Sequence, residues 1–139
     1  MIKYLLDIEQ SKAVYNYCKP HLQKKMCYNN VFNVVTEYIS KFRAGQYKVS
    51  YGYMTVFDNV LCRHCFIINE NGKVIDPTIF TGSQSTEREY YTMKTFEDVD
   101  SYFEAIETDH YYPALERYLA EENKNAYKWA EQNGFILTG

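Results

Sequence analysis

At 139 residues the chain can build one domain with a core of its own and is too short for two comfortable ones. Its 46% apolar and 24% charged residues are ordinary globular composition, and a net charge of −3, from 15 basic and 18 acidic side chains, leaves no basic stripe for nucleic acid. No run approaches the roughly 18 apolar residues of a membrane span, and "MIKYLLDIEQ" turns acidic where a signal peptide would stay apolar, so a soluble, cytoplasmic protein is expected. In that compartment the four cysteines should be reduced, which makes them packing, metal or catalytic residues before disulfides.

Residues 2 to 18 read as helical, broken near Ser11 and stopped before Pro20, because proline disfavours helical backbone in the residue ahead of it. The next helix is the clearest. Val31, Val34, Val35, Tyr38, Ile39 and Phe42 recur at helical spacing as one apolar face, and Gly45 ends it. Carried backwards, that face takes in Cys27 and Asn30, so Cys27 points inward from the first turn. The period then changes. Residues 46–57, 60–69 and 73–80 are rich in β-branched and aromatic side chains and are separated by turn formers at 58–59 and 70–72. They predict an antiparallel sheet of about three strands, with a tight hairpin at "NENGKVID".

"TGSQSTERE", 81 to 89, is polar and small, and is the candidate mobile loop. Thr95 followed by Asp98 resembles a capping box for a helix whose face is Val99, Tyr102, Phe103 and Ile106. Pro113 suits the first turn of a last helix that carries Leu115, Tyr118, Leu119, Ala126, Trp129 and Ala130 to Gly134. Helices, then sheet, then helices predict a single α+β domain over residues 1–139.

Three residues in this plan can carry chemistry. Cys27 opens a helix, His64 lies in the strand "CRHCFII", and Asp76 ends the next strand in "VIDPT". With the hairpin turn centred near Asn71, position 64 falls opposite 77 or 78, which brings the imidazole of His64 and the carboxylate of Asp76 within reach. An aspartate so placed orients the imidazole and stabilises its charged form, and the imidazole takes the proton of a thiol that attacks as thiolate. A helix N-terminus favours negative charge on the same sulfur, and its unpaired N–H groups can hold an oxyanion.

The order Cys, His, Asp in "MCYNNVFNVV", "YGYM" and "RHCFIINENGKVIDPT" resembles the transglutaminase-like branch of the papain-like cysteine enzymes, over roughly residues 24 to 80. That pattern has a cysteine at a helix start, a histidine with an aromatic residue close behind it, here Phe66, and an aspartate in a "DPT"-like strand end. The resemblance implies a helix with cysteine at its N-terminus, packed on a small antiparallel sheet, with two helices following. It implies acyl transfer or amide hydrolysis through a thioester on Cys27, with no cofactor or metal. The chain departs from the family at Cys65, where tryptophan often follows the histidine.

For the oxyanion and substrate contacts the resemblance offers Gln23, against the plainer reading of a surface glutamine. Tyr51 and Tyr53 could line the pocket or simply pack in their strand. Asn30, inward on its helix, needs hydrogen-bond partners and is read first as bonded to backbone of the sheet rather than as catalytic. The tyrosine-rich composition suits contact with a protein or peptide substrate. Cys62 and Cys65 have the spacing of a metal or redox pair, but strand alternation would put them on opposite faces. His21 and His110 read as surface residues. The rival reading is a binding protein on the same fold, with Cys27 buried and inert.

Overall fold

The computed structural model describes residues 1–82 and 85–139. The chain runs through β1 (Ile2–Leu5), α1 (Ile8–Cys18), α2 (Cys27–Glu37), α3 (Ile39–Arg43), β2 (Tyr47–Phe57), β3 (Val60–Asn69), β4 (Val74–Ile75), β5 (Glu89–Thr95), α4 (Val99–Thr108), α5 (Ala120–Asn133) and β6 (Ile136–Thr138). The fold is α+β, with a mixed sheet in the order β1-β5-β2-β3-β4 and with β6 parallel to β3. Ser83 and Gln84, at the centre of the loop-like stretch 81–89, lie outside the described residues. Among the described residues no helix is long and apolar enough to cross a membrane.

The sheet is richer than the expected three strands. β1 replaces the start of a predicted helix, because Ile2–Leu5 pairs antiparallel with β5, a partner far away in sequence. Asp7 then caps α1, its side chain accepting from the Gln10 N–H at 3.0 Å. Ser11 does not break this helix; it is buried in the middle of it. The long apolar face of the second helix is divided at Tyr38 between α2 and α3, and Gly45 follows at φ 74°, the left-handed ending expected of it.

The predicted strand 73–80 is cut to Val74–Ile75, because Pro77 has no N–H to give to a ladder and opens a 3-10 turn, Pro77–Thr81. Asp98 is itself the cap of α4, accepting from the Ser101 N–H at 2.7 Å, while Thr95 belongs to β5. Pro113 does not start the last helix. His110, Tyr111 and Leu115 have φ of 55°, 62° and 53°, which no right-handed helix admits, and α5 begins only at Ala120. It ends at Gly134, φ 76°.

Two features of this architecture position the site. First, β2 and β3 form a long antiparallel ribbon in which Gly52 lies opposite His64 and Tyr51 opposite Cys65. One side packs Tyr51, Cys65 and Ile67 against Val31, Val34 and Val35 of α2; the other packs Phe66, Ile68 and Tyr90 against Val74 and Ile79. Second, the outer edge of β3 is paired with β6 at Val60–Cys62 and with β4 at Ile67–Ile68. Among the described residues no strand pairs with 63–66 on that side, and α2 packs against β3.

Candidate active site

Cys27 is the first residue of α2. Met26 ahead of it has no side-chain oxygen with which to cap the helix, so the first-turn N–H groups are not taken by a capping side chain. Asn30 anchors this end of the helix from below. Its Oδ1 accepts from the Gln23 N–H at 2.9 Å, and its Nδ2 donates to the Gln23 carbonyl at 2.8 Å and to Thr78 Oγ1 at 3.1 Å. One buried amide therefore ties the loop before Cys27 to the turn that follows Asp76, and not to backbone of the sheet as expected, because Gln23 and Thr78 stand nearer the first turn of α2.

His64 and Asp76 adjoin as the hairpin spacing implied. Continuing the β3–β4 register past Ile67 opposite Ile75 would set His64 opposite Thr78. The chain leaves the ladder at Asp76, which swings its carboxylate under the imidazole. His64 Nε2 and Asp76 Oδ2 are 2.8 Å apart, both side chains buried. The same oxygen accepts the Tyr90 hydroxyl at 2.7 Å. The Asp76 N–H donates to Ser11 Oγ at 2.9 Å, fixing the backbone from α1. Phe66 stacks on the His64 ring at 6.2 Å between centroids.

With Nε2 engaged by Asp76, Nδ1 is the nitrogen left for the thiol. Cys27 lies close enough to bear on the protonation of the imidazole. Burial by itself would make His64 harder to protonate. The charge and hydrogen bond of Asp76, reinforced by Cys27, outweigh it and hold the imidazole well above its ordinary 6.5. The three residues are thus gathered where the edge of β3 is bare, with the sulfur on a helix end and the imidazole held from behind.

Three of the four other expected side chains are engaged elsewhere. Gln23 is exposed, and its hydrogen bonds to Asn30 come from its backbone. Both N–H groups of the Asn30 amide are in use. Tyr51 donates its hydroxyl to the Pro113 carbonyl at 2.6 Å, and Tyr53 donates its own to Asn123 Oδ1. Strand alternation sets both rings on the face of the sheet opposite His64, the face that Arg63 shares and on which α2 packs. Asn30, Tyr51 and Tyr53 have their side-chain donors engaged, which leaves the backbone N–H groups of the first α2 turn and the side-chain amide of Gln23 as the candidate oxyanion donors.

All four cysteines are free. Cys65 is buried, and that burial together with nearby Cys27 drives its thiol well above the ordinary range; burial likewise pushes Cys18 up to about 11. Both are therefore poor nucleophiles. Among the described residues no group of three or more His, Cys, Asp or Glu side chains is arranged to hold a metal ion. His21 is exposed and 3.8 Å from Glu37, and His110 is exposed in its left-handed turn.

Sequence reasoning missed Tyr90, Ser11 and Arg63. A signal existed for two of them. "EYYTMKT" alternates strand-forming residues, and an arginine inside "VLCRHCFII" stands in an otherwise apolar strand. Comparison with protein-family models, with curated proteins and with solved structures finds nothing that matches this chain.

Proposed function

We propose that the protein is a cysteine-dependent acyltransferase or amide hydrolase of the transglutaminase-like kind, acting on a protein or peptide. The observation that carries this reading is the 2.8 Å contact of His64 Nε2 with buried Asp76, with Cys27 bearing on the same ring from the start of α2. In the proposed reaction His64 Nδ1 takes the proton of the Cys27 thiol. The thiolate attacks the substrate carbonyl, and the first-turn N–H groups of α2 hold the resulting oxyanion. The His64 imidazolium returns the proton to the leaving amine as the carbon–nitrogen bond breaks, giving a thioester on Cys27. Water or a second amine, deprotonated by His64, resolves that thioester. Asp76 keeps the ring aimed, and Tyr90 and Ser11 keep Asp76 in place.

The rival, a binding protein with an inert thiol, draws on one observation: Cys27 is only 9% exposed. Peptide-mapped labelling with iodoacetamide across pH separates the two. An active Cys27 reacts well below pH 8.5, the value of an ordinary free thiol, and loses that advantage in His64→Ala. Slow labelling, alike at Cys27 and Cys62 and unchanged by the substitution, would favour the binding protein.

A further inference from the structure

Arg63 is the only lysine or arginine that is buried among the described residues, at 9% exposure. A guanidinium taken out of water needs a negative partner or a full set of acceptors. Arg63 has one acceptor. Its Nη1 donates to the Tyr28 hydroxyl at 3.1 Å, with the guanidinium 5.5 Å over the Tyr28 ring. Tyr28 supplies no charge, because burial holds its phenol far above the usual 10 despite the pull of Arg63. Nε and Nη2 are buried with no hydrogen-bond partner among the described residues. Those two nitrogens form one edge of the guanidinium, the edge that receives a carboxylate in two parallel hydrogen bonds.

The place of Arg63 in the fold matters as much as its unpartnered nitrogens. Arg63 directly precedes His64 and Tyr28 directly follows Cys27, so the Arg63–Tyr28 contact flanks the reacting pair. Arg63 also forms part of the wall of a cavity of about 220 Å³, with Tyr53, Glu116, Asn123, Tyr127 and Gly139. Glu116 and Tyr127 are exposed side chains that can turn aside. Like a larger cavity of about 780 Å³ bordered by Tyr4, Lys48, Asn69 and Glu97, the Arg63 cavity has none of Cys27, His64 and Asp76 in its wall; its link to them is the Arg63–Tyr28 contact.

We propose that the Arg63 cavity is the subsite for a carboxylate on the substrate, carried close to the carbonyl that Cys27 attacks. The proposal rests on the thiol-enzyme reading and narrows it to acidic substrates. The carboxylate can be an acidic side chain or a peptide's terminal group, since both present the same planar pair of oxygens. Tyr28 neutralises nothing and serves as a positioning residue, holding the guanidinium through its hydroxyl and ring.

The test compares alkylation of Cys27 by chloroacetyl-glutamate amide with chloroacetyl-glutamine amide, and by chloroacetyl-glycine with chloroacetyl-glycinamide. The first pair reads an acidic side chain and the second a terminal carboxylate. The acidic member of at least one pair should react about tenfold faster than its neutral twin, the size expected of a charge-assisted hydrogen-bond pair. Arg63→Gln should abolish that preference, and Arg63→Lys, which keeps the charge without the planar edge, should lose most of it. If Arg63→Gln does not fold, the lysine variant carries the comparison. In parallel, glutarate titrated into the native protein should shift the Arg63 Nε–H signal by NMR.

Equal rates within both pairs, with an unmoved Nε–H signal, would overturn the subsite. A preference seen only in Glu116→Gln would do so too, because Glu116 would then be the partner that Arg63 keeps. Slow alkylation by all four reagents while glutarate still moves the signal would uphold the carboxylate site and sink the thiol-enzyme reading instead.

Discussion

Replacing Asp76 with asparagine isolates the forces acting on His64. In the native protein the imidazole feels burial, which disfavours its charge, and Asp76, which favours it and wins. Asparagine keeps a carbonyl acceptor for His64 Nε2 and Tyr90 but removes the negative charge. With that support gone, burial governs, and His64 should titrate below 6.5 rather than above it. The linked stability change has a definite sign. The folded value of His64 is raised, so the stability it contributes is complete below about pH 6.5 and is lost as pH rises through the folded value.

At pH 5.5 the substitution strands a buried imidazolium, or forces it to lose its proton, and should cost about 3–5 kcal/mol. Above the folded value the native pair is a neutral imidazole on a carboxylate, and the cost should shrink to about 1.5–3 kcal/mol, that of a hydrogen bond to a charged group. Asp76 Oδ1 is buried without a hydrogen-bond partner among the described residues, so a side-chain NH₂ turned that way adds to the cost at every pH. Urea unfolding of both proteins from pH 5 to 9, with His64 followed by NMR, measures all three quantities. A stability difference that does not change with pH, or a His64 that titrates alike in both proteins, would refute this balance of forces.

Tyr90→Phe removes one of the two hydrogen bonds to Asp76 Oδ2 and should cost about 1.5–3 kcal/mol in urea unfolding while slowing Cys27 alkylation. Asn30→Ala frees the loop before Cys27 from the turn after Asp76; it should cost about 1–3 kcal/mol and lower Cys27 reactivity, leaving Cys62 labelling unchanged. Gly52→Ala would drive a Cβ into the Tyr91 carbonyl, which belongs to backbone and cannot turn aside, so β5 must part from β2. A loss of at least about 3 kcal/mol is expected by thermal or urea unfolding, and a variant as stable as the native protein would contradict the pairing described.

The parts of this molecule that were legible in its sequence are those governed by near neighbours. The apolar stripe from Val31 to Phe42 announces its helices, Gly45 and Gly134 end theirs, and Asn71-Gly72 sets a hairpin whose register brings His64 to Asp76. What stayed hidden depends on partners distant in the chain. Ile2–Leu5 is helical by its pattern and a strand because β5 is there to receive it. The three-residue β6 exists only as a cover for the end of β3. Tyr90 reaches Asp76 from a strand whose place could not be known beforehand, and Ser11 does so from the middle of a helix. The oxyanion contacts were sought in side chains that the fold uses for packing, with Tyr51 on Pro113 and Tyr53 on Asn123.

The account stands or falls on whether the Cys27 sulfur becomes acylated with the help of His64. Mixing the protein with p-nitrophenyl acetate and following nitrophenolate, with peptide mapping of the acetyl group, addresses this directly. The expected result is a rapid burst of about one equivalent, an acetyl group on Cys27, no burst in Cys27→Ser and a much slower one in His64→Ala. Acetylation scattered over several residues, or a Cys27 acetylated no faster in the native protein than in His64→Ala, would contradict it.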